Sequence, residues 1–492
     1  MDDVVVVGAG PTGLTAAIEL ARRGVRVRVL DAADGPHRGS RGKGMQPRTL
    51  ELLDAMGVAD RLVSLGRFEL PIRRHDPDGS VQDVELNPAG VPDATTPWAR
   101  SLIIPQWRTE QVLRERLGEE GLEVEYGRRV ASLSQDESGV RIALEDGQEL
   151  RAAWVVGADG GSSTVRRELG VGFLGETHEE IRLLLGDVEL DGLDRDHWHM
   201  FSGAGAAYFA LCPLPATSTW QVQIGHSDPE VHASEPVLRE FVDALAPRIR
   251  VRRVVTSGDW RLNVRMADEY RVGRVLLAGD AAHVHSPAGG QGMNTGISDA
   301  INLGWKLAAV ASGTAVESLL DTYSAERLPI AAGVLGLSSA LTGRRFWQRT
   351  SEQVRDALGF GTSYRGGPLA ASDDDDGPGP RPGDRAPNAP LVVDGAATDL
   401  FAQRRRADWT VLTFGGAEVT APELPSTVQV LEADALAADA VLREAYGAGD
   451  GEVVVIRPDG YVWSRAYPAK ATAPGSGGHT VPSAGGRFGS SR

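Results

Sequence analysis

Val4-Val5-Val6-Val7-Gly8-Ala9-Gly10-Pro11-Thr12-Gly13 is the stretch whose reading decides the fold. Four consecutive β-branched residues suit a strand covered on both faces, as in a parallel sheet. Gly8 then permits a tight turn, Gly10 lets the backbone approach a pyrophosphate, and Gly13 lets the next helix lie close on the strand. That helix is predicted from about Thr12 to Arg23. Leu14, Ala17, Ile18 and Ala21 recur at helical spacing, and Gly24 closes it. Val25 to Leu30 forms a second strand ending at Asp31, which completes a βαβ unit. Phosphates on the helix N-terminus and ribose hydroxyls on Asp31 would make this a dinucleotide site. The motif alone leaves FAD and NAD both open.

Two further blocks repeat the pattern of a buried strand delivering a glycine turn. In Trp154-Val155-Val156-Gly157-Ala158-Asp159-Gly160-Gly161-Ser162-Ser163-Thr164-Val165-Arg166, the Ser/Thr residues suit the cap of a helix carrying Arg166. Taken alone, Asp159 reads first as a turn acid that bonds its own backbone. In Gly273-Arg274-Val275-Leu276-Leu277-Ala278-Gly279-Asp280-Ala281-Ala282-His283, followed by Pro287-Ala288-Gly289-Gly290-Gln291-Gly292-Met293-Asn294-Thr295, a Gly-rich loop feeds a long helix. Unpaired N–H groups and a positive partial charge at such a helix end suit an anionic or electron-accepting ring. His283 and His285 lack a Cys or carboxylate at ligand spacing, so they read as hydrogen-bonding loop residues and no metal is expected.

Outward from these blocks, helices are predicted near 48–56, 108–118 and 295–311. Short alternating runs between about 173 and 262, such as Tyr208-Phe209-Ala210-Leu211 and Trp220-Gln221-Val222-Gln223-Ile224, predict an inserted antiparallel sheet, and 71–99 has the same look. Ser372 to Pro387 is acidic and rich in Pro and Gly, as in a linker. A second βαβ-like module follows, with candidate strands at Trp409–Phe414, Thr427–Leu431 and Glu452–Ile456. The Gly/Ser/Pro-rich end, from about Ala471 to Arg492, reads as disordered.

The 492 residues suffice for about three domains. With 51 Lys and Arg against 67 Asp and Glu, the net charge is −16. That argues against nucleic acid, which needs a basic face, and against anionic membrane surfaces. Cys212 is the one cysteine, so no intrachain disulfide or Cys-based metal cluster can form. Met1-Asp2-Asp3 carries acids where a signal peptide carries Lys or Arg, and a cytoplasmic protein is expected.

Together the three blocks resemble the class A flavoprotein monooxygenases, the family of p-hydroxybenzoate and phenol hydroxylases. The match is longest over GRVLLAGDAAHVHSPAGGQGMNTGISDAINLGWKLA, and Ser40-Arg41-Gly42 and Pro105-Gln106 also fit. Pro382-Gly383-Asp384-Arg385-Ala386-Pro387 and Ile456-Arg457-Pro458-Asp459-Gly460-Tyr461-Val462 resemble the subgroup with a thioredoxin-like C-terminal domain, which includes bacterial aromatic-polyketide hydroxylases. The departure is Asp31, where the family usually has Glu. The resemblance implies an α/β fold: a Rossmann-type FAD-binding domain (1–70, 100–172 and 263–345), an inserted antiparallel-sheet substrate domain (71–99 and 173–262), a helix and linker (346–383), and a thioredoxin-like domain (384–468) before the tail at 469–492.

The resemblance also implies roles. Gly8, Gly10, Pro11, Thr12 and Gly13 would cradle the FAD pyrophosphate, Asp31 the adenosine ribose, and Arg41 the ribose and phosphate region. Gln106 would serve the ribityl side and Asp280 a ribityl hydroxyl, while the Val130 backbone would contact adenine. Asp159 belongs to a motif linked to both FAD and NAD(P)H. Pro287 would lie beside the oxygen-reacting carbon of the flavin, and Gly290, Gly292, Met293 and Asn294 would face its pyrimidine edge. Of these, Pro287, Gly292 and Asn294 are the candidate catalytic positions. FAD is expected without a covalent bond, with NAD(P)H as a transient co-substrate because no second strand–GxGxxG–helix unit exists. Oxygen would add at flavin C4a to give a hydroperoxide that hydroxylates a small aromatic substrate in a dry pocket. The other readings are Baeyer–Villiger oxygenation, a non-oxygenating FAD-dependent reductase and a flavin-binding regulator. Trp198, Phe201, Tyr208 and Trp220 are candidates both for substrate contact and for core. The C-terminal module lacks Cys-x-x-Cys, so its expected role is structural or in self-association as a homodimer.

Overall fold

The central strand Asp2–Val7 has parallel neighbours on both sides, Glu149–Gly157 and Val27–Leu30. Its four valines are buried, and helix Pro11–Ala21 packs against the strand. The parallel core continues outward to Val275–Leu277 beyond Glu149–Gly157 and to Val124–Glu125 beyond Val27–Leu30. Thus the strands ending in Gly8, Asp31, Asp159 and Asp280 lie side by side and point the same way, which gathers their loops at one edge of the sheet. In this computed structural model the described residues are 2–68, 70–85, 91–202, 208–285, 290–341, 350–371, 377–405, 409–417, 428–433 and 439–466. Pro287, the run Ser372–Asp376 and the tail read as disordered lie outside them.

Helix Pro11–Ala21 starts at Pro11, one residue before the expected Thr12, because proline suits the first helical position. It packs against the long helix Gly292–Ala311, and small residues set the spacing. A Cβ on Gly296 would come within 2.3 Å of Thr12 Oγ1, and one on Gly304 within 2.5 Å of Glu19 Cβ.

The inserted sheet has eight strands, ordered His283–Val284, Arg250–Ala267, Phe173–Asp191, Trp220–His226, Tyr208–Pro213, Trp198–Phe201, Ile72–His75 and Val81–Val84. Its pairings are antiparallel except Trp198–Phe201 with Ile72–His75. The 71–99 stretch therefore joins the same sheet as the larger insertion. One face carries Leu184, Val188, Phe209, Leu211, Trp220, Val222 and Ile224 against helix Glu235–Leu245. The other turns toward the Ser40–Gln46 loop.

At the C-terminal end a four-stranded sheet runs Val428–Glu432, Trp409–Thr413, Val453–Ile456, Val462–Ala466. Its first pair is parallel and the others antiparallel, the arrangement expected of a thioredoxin-like module. Residues 377–387, read as linker, are tied down where they are described: Gly383 N donates to Val462 O at 2.8 Å and Ala386 N to Gly460 O at 3.0 Å. The composition signalled lack of a core, but backbone hydrogen bonds to Gly460 and Val462 order the segment.

Buried charges dock this module. Arg457 donates to both oxygens of Glu326 at 2.7 and 2.8 Å, and Lys306 Nζ lies 2.8 Å from Glu326. Burial would raise Glu326, yet Arg457 and Lys306 hold it far below the usual carboxylate range, while burial pulls Lys306 down to about 8. Trp305 meets Trp409 edge-on at 5.6 Å, adding apolar contact beside the ions.

The helix crossing makes a direct prediction. Gly304→Val places three carbons where Glu19 already sits and should destabilise the protein by about 1–3 kcal/mol. Urea unfolding should show a lower midpoint; an unchanged midpoint would mean that the crossing has slack.

Candidate functional site

The three glycine-bearing loops meet at the sheet edge. Gly8 adopts φ +103°, and a Cβ there would lie 2.3 Å from Ala158 O, so the first loop touches the second. Gly279 adopts φ +62°, and its Cβ would strike Thr12 Oγ1 at 2.5 Å, so the third touches the first. A Cβ on Gly13 would lie 1.9 Å from Gly8 O, which fits the expected close helix–strand packing. Gly10 is different. A Cβ built there meets nothing within 4 Å, and the helix it caps receives no side-chain cap. Open space beside unpaired helix N–H groups is the geometry a pyrophosphate requires.

Asp280 completes the recess. It is exposed, yet protein surrounds it closely enough that desolvation raises its pKa, with His283 and Arg41 acting in the opposite direction. A carboxylate that faces open space within a protein-walled hollow suits a ligand carrying hydroxyl groups. These features fit FAD.

Asp31 ends its strand as expected and accepts from Ala9 N at 2.7 Å and Ala33 N at 2.8 Å, so it also braces the glycine loop. Val130 begins a strand two residues after Arg128, whose N–H donates to Asp31 O at 2.8 Å. Gln106 accepts from Gly42 N at 3.0 Å and donates to Glu110 at 2.9 Å, fixing the loop that carries the exposed Arg41. Asn294 accepts from Gln46 N at 2.8 Å and donates to Gly44 O and Gly290 O at 3.0 and 2.6 Å. It pins that same loop to the start of helix Gly292–Ala311, whose first residues Gly292 and Met293 have no side-chain cap. Asp159 accepts from Ser163 Oγ, from Thr164 N at 2.7 Å and from Val165 N at 3.1 Å. Its carboxylate is committed to the helix it precedes, as the turn-acid reading has it.

Arg166, Asp299 and Arg327, to which no site role is assigned from the sequence, hold these loops together. Arg166 donates to Ala281 O and Gly161 O, both at 2.8 Å, tying the second loop to the third. Asp299 accepts from Gly279 N at 3.1 Å, from His283 Nε2 at 2.6 Å and from Arg327 Nε at 2.7 Å. Burial opposes its charge, but Arg327 and His283 outweigh burial and keep its pKa below the ordinary value. His283 is thus a hydrogen-bonding residue, as expected. Only the i, i+3 spacing of apolar residues around Asp299 could have marked it as inward-facing.

The four aromatic candidates divide by strand parity. Phe201 and Trp220 lie on the face covered by helix Glu235–Leu245 and belong to the core. Trp198 and Tyr208 lie on the opposite face, where Trp198 is buried in a second core cluster with Leu70, Ile72 and Ile103, and Tyr208 packs half-buried against it. There Lys43 Nζ sits 4.2 Å from the Trp198 ring centre and bonds Gln221 at 2.5 Å. Asp187 shares that face, and burial pushes it up to about 6 against the pull of Ser40 and Lys43.

A parallel sheet with a Gly-lined dinucleotide recess, roofed by an antiparallel sheet, defines a cofactor-dependent enzyme of the FAD-binding class. The chain belongs to the FAD-dependent aromatic-ring monooxygenases: residues 1–338 match the FAD binding domain and 379–476 the aromatic-ring hydroxylase C-terminal domain. It is 41% identical to a flavin-dependent monooxygenase of Mycobacteroides abscessus, covering 93% of this chain and 96% of that protein. It is 36% identical to the 6-methylpretetramide 4-monooxygenase of Streptomyces rimosus, over 95% and 91% of the two chains. The structure of aklavinone-11 hydroxylase with FAD and aklavinone matches at a TM-score of 0.81 and 29% identity, over 96% and 97% of the chains. No helix among the described residues is long and apolar enough to cross a membrane.

Glu110, buried behind Gln106, has its pKa raised to about 7, chiefly by burial and further by Asp31, against Gln106 and Arg114. The unfolded chain releases this proton near 4.5, so the folded state is penalised increasingly from there up to about pH 7 and constantly above. Glu110→Gln should therefore stabilise the protein at pH 8 by up to about 3 kcal/mol and have little effect at pH 4. Denaturant midpoints at the two pH values test this; equal effects at both would contradict it.

Proposed function

We propose that this monooxygenase hydroxylates a phenolic or polycyclic, polyketide-like aromatic, taking electrons from NAD(P)H and one oxygen atom from O2. The observation that carries the substrate reading is the inner face of the inserted sheet. The ring of half-buried Tyr208 lies there beside buried Trp198, and Lys43, Gln223 and Asp187 are polar groups of that face, Gln221 being bonded to Lys43 and the Ser40 carbonyl. Relatives named as a 6-methylpretetramide 4-monooxygenase and an aklavinone-11 hydroxylase support that class.

FAD supplies the redox chemistry when bound. In this reading the Gly8–Gly13 loop and the helix from Pro11 hold the pyrophosphate, Asp31 and the Val130 backbone the adenosine end, and Arg41, Gln106 and Asp280 the ribityl and phosphate region. Asp159 acts by shaping the adjoining loop. Gly290, Gly292, Met293 and Asn294 would present the start of the long helix, with its partial positive charge, to the flavin. Pro287, in the same loop, is assigned to the reacting side on the family resemblance alone. In this reading the inserted sheet would keep water from the flavin.

Two substitutions test the cofactor assignment. Gly10→Ala fills the open space beside the helix end and should weaken FAD retention while leaving apoprotein stability unchanged. Asp280→Ala removes a charged acceptor worth about 1.5–3 kcal/mol, so FAD should bind roughly ten- to a hundredfold more weakly. Wild-type dissociation constants by fluorescence titration would overturn either role. For the reaction, NAD(P)H oxidation should be slow alone and strongly accelerated by multi-ring phenols. Products carrying one added oxygen on an intact ring support hydroxylation; ring-expanded lactones mean Baeyer–Villiger oxygenation. Reduction of a polyene without oxygen gain would sink the proposal.

A further inference from the structure

We propose that Asp299 is a positioning residue for FAD and that Arg327 links this restraint to the C-terminal part of the chain. The inference rests on the reading that the Gly279–Ala281 turn touches FAD, and extends it to residues that do not. Asp299 is fully buried on helix Gly292–Ala311 and is the one side chain described as bonding both ends of the turn region, Gly279 N and His283. Its second oxygen is held by Arg327, from helix Asp321–Leu341. The backbone that carries Asp280 is therefore held, at the residue before it, by a charge on the long helix. Gly279 sits against Thr12 with no room for a Cβ, so any shift of the turn also disturbs the first glycine loop.

Arg327 has two further ties. Its Nη1 donates to Tyr364 OH at 2.9 Å and its Nη2 to Thr295 O at 3.3 Å. Tyr364 packs on Tyr461 at 4.3 Å between ring centres, and Arg457 lies 5.1 Å over the Tyr364 ring. Tyr461 and Arg457 belong to the module whose arginine also clamps Glu326, the residue before Arg327. Docking of the C-terminal module and placement of the flavin turn thus share one helix segment, Glu326-Arg327. A buried charge held by several charged partners resists displacement strongly, because moving it strands the others.

The test compares full-length Asp299→Asn, His283→Phe and Lys306→Met with wild type. Three properties are read: FAD dissociation constant, visible circular dichroism of the bound flavin, and apoprotein melting temperature. Asp299→Asn keeps shape but loses the charge that fixes His283 and Arg327, so FAD should bind about tenfold or more weakly, with an altered flavin signal. His283→Phe keeps the ring that lies between Tyr270 and His285 and removes only the donor. It should weaken FAD in the same direction, and it decides the matter should the Asn variant not fold. Lys306→Met disturbs the Glu326 pair one residue from Arg327 without touching Asp299, so it should lower the melting temperature and, through the Arg327 link, weaken FAD by less than Asp299→Asn does; unchanged FAD affinity there would overturn the link. Wild-type FAD affinity and flavin signal in His283→Phe, or an equal loss in Lys306→Met, would overturn the proposal. Asp280→Ala keeps the two readings apart. If it binds FAD normally while Asp299→Asn does not, the ribityl contact fails and the positioning role stands.

Discussion

The crossing of helices Pro11–Ala21 and Gly292–Ala311 is the constraint on which the rest of the molecule depends. Their contact is closer than side chains of ordinary size allow, because Gly296 and Gly304 present bare backbone to Thr12 and Glu19. Thr12 is wedged between Gly296 and Gly279, so the same side chain measures the gap to the helix and to the turn before it. Residues almost 270 positions apart are thereby fixed relative to one another. The recess beside Gly10 exists because the loops around it are pressed together everywhere else. Close packing transmits displacement and does not absorb it.

Much of this frame was legible in the sequence, for a physical reason. A strand that must be covered on both faces is written in consecutive residues, and a turn requiring positive φ is written as glycine. The βαβ unit, the long helix and the inserted sheet all follow from such local rules. The restraints between loops did not. Arg166 on Ala281 O, Asp299 between His283 and Arg327, and Asn294 on Gly44 O join residues 16 to 250 positions apart. Nothing in the neighbourhood of an arginine or asparagine in the chain says which distant carbonyl it will meet. Asp159 shows the converse. Its local reading, as an acid that bonds the backbone just ahead, is what the fold does with it.

The aromatic residues of the inserted sheet show where composition misleads and parity does not. Trp198, Phe201, Tyr208 and Trp220 are alike in kind, but alternate positions on paired strands face opposite sides. The registers Phe201 with Phe209 and Val188 with Trp220 place two of the four among the valines and leucines beneath helix Glu235–Leu245. Met200 opposite Ala210, and Asp187 opposite Gln221, mark the other face. Only the register separates them. Polar side chains on a half-buried sheet face need a partner, and here Gln221 finds one in Lys43 and in the Ser40 carbonyl of the flavin-side loop. The wall proposed for the substrate and the loop proposed for the cofactor therefore share a hydrogen-bonded seam.

The C-terminal module poses a different question, since ions as fully buried as Arg457, Glu326 and Lys306 add little net stability over well-packed apolar groups. Their value lies in direction. Trp305 against Trp409 would tolerate sliding or rotation of the module with small loss, because apolar contact is non-directional. A two-pronged Arg457–Glu326 pair does not, since a shift of an ångström breaks both hydrogen bonds while the charges remain buried. The module lacks the cysteine pair that would give it redox work, and it sits on the helix segment whose next residue holds Asp299. A docking contact specified by charge, placed one residue from the restraint on the flavin turn, accounts for why a domain without that cysteine pair is held in one orientation.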